Sequence, residues 1–126
     1  MDHLRREDLP AREMGGRVGS AAIGMEGVAA VAADDAFCGY ATFSPKYGTM
    51  KPHYHENEIM YIVDARDAFV RFGETKDTMN QREPLKKGEI IRARDGEWHI
   101  FEFDSEDGFL DIVAFFSVPM GHTKEE

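Results

Sequence analysis

The chain of 126 residues sets 15 Lys and Arg against 24 Asp and Glu, a formal net charge of −9, with 42% hydrophobic residues and one cysteine. That is the size of one ordinary domain with enough apolar and aromatic content for a core, which excludes wholesale disorder and collagen-like or low-complexity architectures. The acidic balance has the wrong sign for binding phosphate backbones, and no apolar run approaches the roughly 20 residues that span a bilayer. A lone Cys38 allows no internal disulfide framework, which fits a reducing compartment, and its ordinary role is that of a small buried hydrophobe. The expectation is a cytoplasmic protein with neither nucleic acid nor membrane as partner.

Residues 1–16 are polar and charged and are broken by Pro10 and the Gly15-Gly16 pair, so they read as an N-terminal extension. Residues 17–33 are rich in glycine and alanine, which suits short strands and turns better than a long helix. From residue 36 the pattern becomes that of strands, at 37–43, 49–55, 58–63, 68–72, 89–93, 98–103 and 109–118. Each is short, aromatic or β-branched and bounded by turn residues, whereas 73–87 reads as a connection. Short strands at this spacing predict an all-β sandwich or barrel. The expected organisation is an extension over 1–35, a barrel over 36–119 and a tail over 120–126.

His53 and His55 stand at i and i+2, a spacing that on a strand sends both imidazoles to one face, where they can converge on one ion. Glu58 opens the next strand across the Glu56-Asn57 turn, and a carboxylate there can join the hairpin's ligands. His99, on a later strand, can supply a fourth. Glu56 is the alternative carboxylate. Taken alone, His-x-His is weak evidence, since two solvated or hydrogen-bonded histidines produce the same pattern.

The surrounding residues resemble the cupin family, whose motifs read G-x5-H-x-H-x3–4-E-x6-G and G-x5-P-x-G-x2-H-x3-N. The second is matched by Gly88, Gly96 and His99, with Arg94 in the proline place and Phe103 in that of the closing asparagine. The first is matched by Gly48, His53, His55 and Glu58 with two shortened spacings, and Ala65 stands at its final glycine. The resemblance spans about 37–119. It implies a double-stranded β-helix, a jelly-roll-like cupin barrel, commonly dimeric and with a metal inside. The implied metal ligands are His53, His55, Glu58 and His99, and the residues at 17–33 are expected to help form a homodimer by crossing to a partner.

Strand parity then predicts the pocket. If Glu58 points inward so do Met60 and Ile62, and if His99 does so do Phe101 and Phe103, although a plain barrel core would hold the same residues. Lys51 shares the parity of His53 and His55 and is a candidate inward cation for an anionic substrate; a lysine curling outward is the plainer reading. Tyr40, Tyr61 and Glu56 are the candidate acid/base residues. Three imidazoles and a carboxylate suit Fe(II), Mn(II), Ni(II), Co(II) or Zn(II) without selecting among them. The expected function is a metal-dependent enzyme acting on a small oxygenated metabolite of sugar or carboxylate type, by Lewis-acid isomerase or lyase chemistry. An Fe(II) dioxygenase is the close alternative, and a non-catalytic small-molecule binder the third.

Overall fold

The computed structural model describes residues 1, 3, 5–8, 11–14, 16–20, 31–33, 36–54, 58–117 and 124–125. Twelve strands follow in order: β1 (Ala11–Met14), β2 (Arg17–Ser20), β3 (Val31–Ala33), β4 (Ala36–Phe43), β5 (His53–Tyr54), β6 (Glu58–Arg66), β7 (Ala68–Gly73), β8 (Gln81–Leu85), β9 (Ile90–Ala93), β10 (Trp98–Phe103), β11 (Phe109–Ser117) and β12 (Lys124–Glu125). Among the described residues, helical structure is limited to 3-10 turns at Arg6–Asp8 and Pro45–Tyr47. No helix there is long and apolar enough to cross a membrane.

Two antiparallel sheets result. The larger runs β1-β2-β4-β11-β6-β9, with β3 also on β4, and the smaller runs β12-β5-β10-β7-β8. Strand β11 holds the larger sheet together, paired with β4 from Leu110↔Phe43 to Ser117↔Ala36 and with β6 on its other side. Facing residues of the two sheets form the core. Met60, Ile62, Leu110 and Ile112 come from the larger sheet, Val70 and Phe101 from the smaller. The Phe43 and Phe101 rings meet across the gap at 4.6 Å between centroids. Period-two patterning produces this directly: along β6, Glu58, Met60 and Ile62 are buried while Ile59 and Tyr61 are exposed.

That alternation is interrupted once. The β6–β11 register slips between Asp111↔Asp64 and Ile112↔Ile62, so Val63 is the extra residue of a bulge. Beyond it the parity of β6 is reversed, with Asp64 and Arg66 exposed and Ala65 turned toward Leu110.

Several boundaries differ from the sequence expectation. The N-terminal region does not stand apart from the barrel: β1 and β2 form a hairpin, and β2 extends the larger sheet through Arg17↔Phe43 to Gly19↔Ala41 of its own chain. Gly16 makes this possible, since its φ of 81° suits a residue without a side chain and its backbone bonds both Tyr47 and Ser44. Within 73–87, read as a connection, lies β8. It is polar and mostly exposed, and at the end of the sheet it tolerates Pro84, which has no N–H to donate. The expected strand at 49–55 is described as strand only at His53–Tyr54. Cys38 is half-buried, and burial raises its thiol pKa.

Candidate metal centre

His53 and His99 are direct antiparallel partners of β5 and β10 in the smaller sheet. Opposed residues of such a pair project to the same side, and here that side is the interior, with exposures of 2% and 3%. The rings lie edge to face at 4.6 Å between centroids. Glu58 reaches the same place from the other sheet. It opens β6, is 4% exposed, and sets Oε1 3.9 Å from His99 Nε2. The site is thus assembled across the sandwich, two imidazoles from one wall and a carboxylate from the other.

Both histidines are oriented in the same way. His53 Nδ1–H donates to the Lys51 carbonyl at 2.9 Å, and His99 Nδ1–H to the Glu97 carbonyl at 3.1 Å. A carbonyl oxygen only accepts, so each ring carries a proton on Nδ1, and Nε2 is the nitrogen suited to ligating a metal. Burial lowers the His99 pKa below its ordinary value, outweighing the opposing effect of the Glu97 carbonyl, so the ring is neutral near pH 7. The local backbone explains the anchor. A turn closed by Glu97 N–H to Arg94 O holds Gly96 at φ 78°, a type II position that favours glycine, and delivers the Glu97 carbonyl beneath the ring.

The side chains named from parity as pocket candidates are buried or partly buried in the core. Met60 and Ile62 continue the buried face from Glu58, and Phe101 lies 6.1 Å from the His99 ring. Phe103 is partly buried against the same core. Trp98, of opposite parity, packs on Tyr54 at 5.0 Å on the other face of the smaller sheet.

Three residues expected at the site stand elsewhere. Tyr61 lies between Met60 and Ile62 on the opposite face of β6, 41% exposed. Tyr40 pairs with Val113 and faces outward beneath the Arg6 guanidinium, 5.0 Å from its ring centroid. The Lys51 side chain is exposed, and its contribution is the main-chain carbonyl that orients His53. His55 and Glu56 lie outside the described residues. Sequence reasoning missed the two carbonyl anchors. Each belongs to the residue two before its histidine, and only the Gly96 turn gave a local signal of either.

Among the described residues, no three His, Cys, Asp or Glu side chains stand in metal-holding geometry. The chemistry of the donor set nevertheless fits a divalent transition ion. Two imidazoles whose Nδ1–H groups donate to backbone carbonyls, beside a buried carboxylate, are nitrogen and oxygen ligands with the outer hydrogen bonds that metal-binding histidines carry.

No family model matches the sequence, and no curated protein matches it either. Solved structures do resemble it. A polyketide cyclase, RemF from Streptomyces resistomycificus, superposes with a TM-score of 0.73 at 19% identity, covering 99% of this chain and 84% of its own. A protein from Planctomyces limnophilus gives 0.67 at 15% identity, covering 96% and 95%. The Fe(II) form of HppE gives 0.64 at 13% identity, covering 91% of this chain and 59% of its own. At such identities the likeness shows the fold. It is all-β, a double-stranded β-helix of the jelly-roll, cupin-like kind.

Proposed function

We propose that this chain is a metal-dependent barrel enzyme acting on a small oxygenated metabolite of sugar or carboxylate type. The observation that carries the reading is the convergence of buried His53, His99 and Glu58 from two sheets, with both imidazoles oriented by backbone carbonyls. His53, His99 and Glu58 would hold the ion, with His55 the fourth ligand from its place in the sequence motif. Bound there, a divalent transition metal supplies Lewis acidity toward carbonyl, hydroxyl or carboxylate oxygens. The chain's own part is to keep the His99 imidazole neutral, to fix the orientation of both rings, and to exclude water with Met60, Ile62 and Phe101. With both tyrosines on outer faces, Glu56 is the remaining acid/base candidate for proton transfer in an isomerase or lyase reaction. The likeness to a polyketide cyclase supports carbonyl chemistry of this kind. A cytoplasmic location is part of the same proposal.

The likeness to an Fe(II) protein favours a second reading, an Fe(II)-dependent dioxygenase. One experiment separates the readings. Protein purified without added metal is analysed for metal, then assayed against a panel of small oxygenated metabolites with Zn(II) or Mn(II) under anaerobic conditions and with Fe(II) in air. Anaerobic turnover supports the lead reading, and substrate-dependent oxygen uptake with Fe(II) alone supports the second. Ligand-induced stabilisation without turnover makes the chain a binder. Absence of any stoichiometric transition metal, with His53→Ala changing nothing, overturns the metal reading.

A further inference from the structure

We infer that the Glu97 side chain is a positioning residue of the metal centre: its carboxylate braces the turn that presents Glu97's own carbonyl to His99 Nδ1. The inference rests on the metal reading above. Three polar groups of Glu97 are engaged at once. Its N–H donates to the Arg94 carbonyl at 2.9 Å, its Oε1 accepts the Arg94 N–H at 3.3 Å, and its carbonyl accepts the His99 Nδ1–H at 3.1 Å. The first two bonds run in opposite directions between the same two residues, so they close a ring across the turn. A backbone N–H given to a carboxylate is charge-assisted and stronger than a neutral bond. Arg94, Asp95 and Gly96 are all exposed, and a glycine at φ 78° has the widest choice of other conformations. Without the carboxylate, water competes for the Arg94 N–H and one backbone bond is left to hold the turn.

The chain contains its own control. Lys86-Lys87-Gly88-Glu89 repeats the pattern of Arg94-Asp95-Gly96-Glu97, a basic residue, a variable one, glycine and glutamate, on the other side of β9. Glu89 N–H donates to the Lys86 carbonyl at 3.2 Å, Glu89 Oε1 accepts the Lys86 N–H at 2.7 Å, and Gly88 has φ 88°. The brace is the same and the recipient differs. The Glu89 carbonyl accepts from the Ile62 N–H at 2.9 Å, a bond between backbones, whereas the Glu97 carbonyl holds an imidazole. A carbonyl bonded to the far nitrogen of a metal-binding histidine fixes the ring's aim and raises its basicity. Loss of either brace loosens a turn, and only loss of the second reaches a ligand.

Zinc affinity of the full chain, measured by competition with a chromophoric chelator, and urea denaturation of the metal-free protein together test the inference. Glu97→Ala is expected to weaken Zn(II) binding on the order of tenfold, the low end for losing an outer hydrogen bond to a ligand. Glu97→Gln removes the charge but keeps an oxygen that accepts from Arg94, and should bind zinc nearly as the wild type does. Glu89→Ala should lower the urea midpoint and leave zinc affinity unchanged. The inference is overturned if Glu97→Ala binds zinc like the wild type, if Glu97→Gln binds as weakly as Glu97→Ala, or if Glu89→Ala weakens binding equally. A wild type that binds no zinc overturns the metal reading instead. The positioning is then read by NMR in the metal-free protein, where the His99 Nδ1–H should exchange with solvent faster in Glu97→Ala and not in Glu89→Ala; equal exchange in both overturns it.

Discussion

Glu58 and His99 belong to different sheets, yet their side chains come within 3.9 Å of one another in the interior. That separation is longer than a hydrogen bond, and the lowered pKa of His99 removes the charge that an ion pair would need. A nitrogen and an oxygen ligand are thus brought from opposite sheets to one buried place, where an ion held by both would tie the two walls together and add its binding free energy to folding.

Metal removal should therefore be visible in stability as well as activity. A chelator is expected to lower the thermal midpoint of the wild type, and an ion at about 100 times its dissociation constant to restore roughly 2.7 kcal/mol. His99→Ala and Glu58→Gln should lack both the bound metal and the chelator response. Differential scanning fluorimetry with elemental analysis measures the two together.

Glycines 73 and 96 should respond differently to alanine. A Cβ at Gly73 would collide with the Thr78 carbonyl oxygen, so backbone must move, whereas at Gly96 nothing lies within 4 Å and only the φ of 78° resists. Gly96→Ala is expected to cost about 1 kcal/mol and to weaken metal binding by displacing the Glu97 carbonyl. Gly73→Ala should cost more and leave metal affinity unchanged. Urea titration and metal competition give the two readouts.

Ile62 is fully buried, at 0% exposure. Ile62→Val should lose about 0.5–1.5 kcal/mol and Ile62→Ala about 2–5 kcal/mol, the larger loss including the cavity left between the sheets. Equal losses in urea denaturation would show that the core collapses around the gap.

Acid should unfasten the smaller sheet's outer face. The Arg71 hydrogen bond, with Arg82 assisting, holds the Glu102 carboxyl below its ordinary value of 4.5. The unfolded chain takes up the proton first as pH falls. This contribution is thus complete above about 4.5 and lost as pH drops through the lowered native value. Glu102→Gln should cost on the order of 1 kcal/mol at pH 7 and progressively less as pH falls below the lowered native value, measured as the difference in urea midpoints.

The strands that form the two inner walls were legible because their patterning is strong. Residues 98–103 have the bounds read from the sequence, and Glu58, His53 and His99, picked out by spacing and resemblance, are all buried. Strand β8 was hidden because an edge strand facing solvent has no apolar alternation to show. Tyr40 misled for the opposite reason. On β4 the inward positions include the small Gly39 and Ala41, opposite Ala114 and Ile112, while the bulkier Tyr40 and Thr42 face out. Size ran against burial, and only the pairing with β11 reveals which face is which. For Tyr61, parity within β6 already placed it opposite Glu58.

The bulge at Val63 gives β6 two reading frames. Before it, even-numbered residues build the interior and end at a carboxylate; after it, the odd-numbered Ala65 does, and Asp64 is delivered to the outside. Were Val63 kept in the ladder, Asp64 would fall opposite Leu110 and face the core, whereas deleting Val63 would restore strict alternation and leave Asp64 outward and Ala65 inward. One unpaired residue thus lets a single strand line the buried cluster at one end and carry charge on the sheet's outer surface at the other.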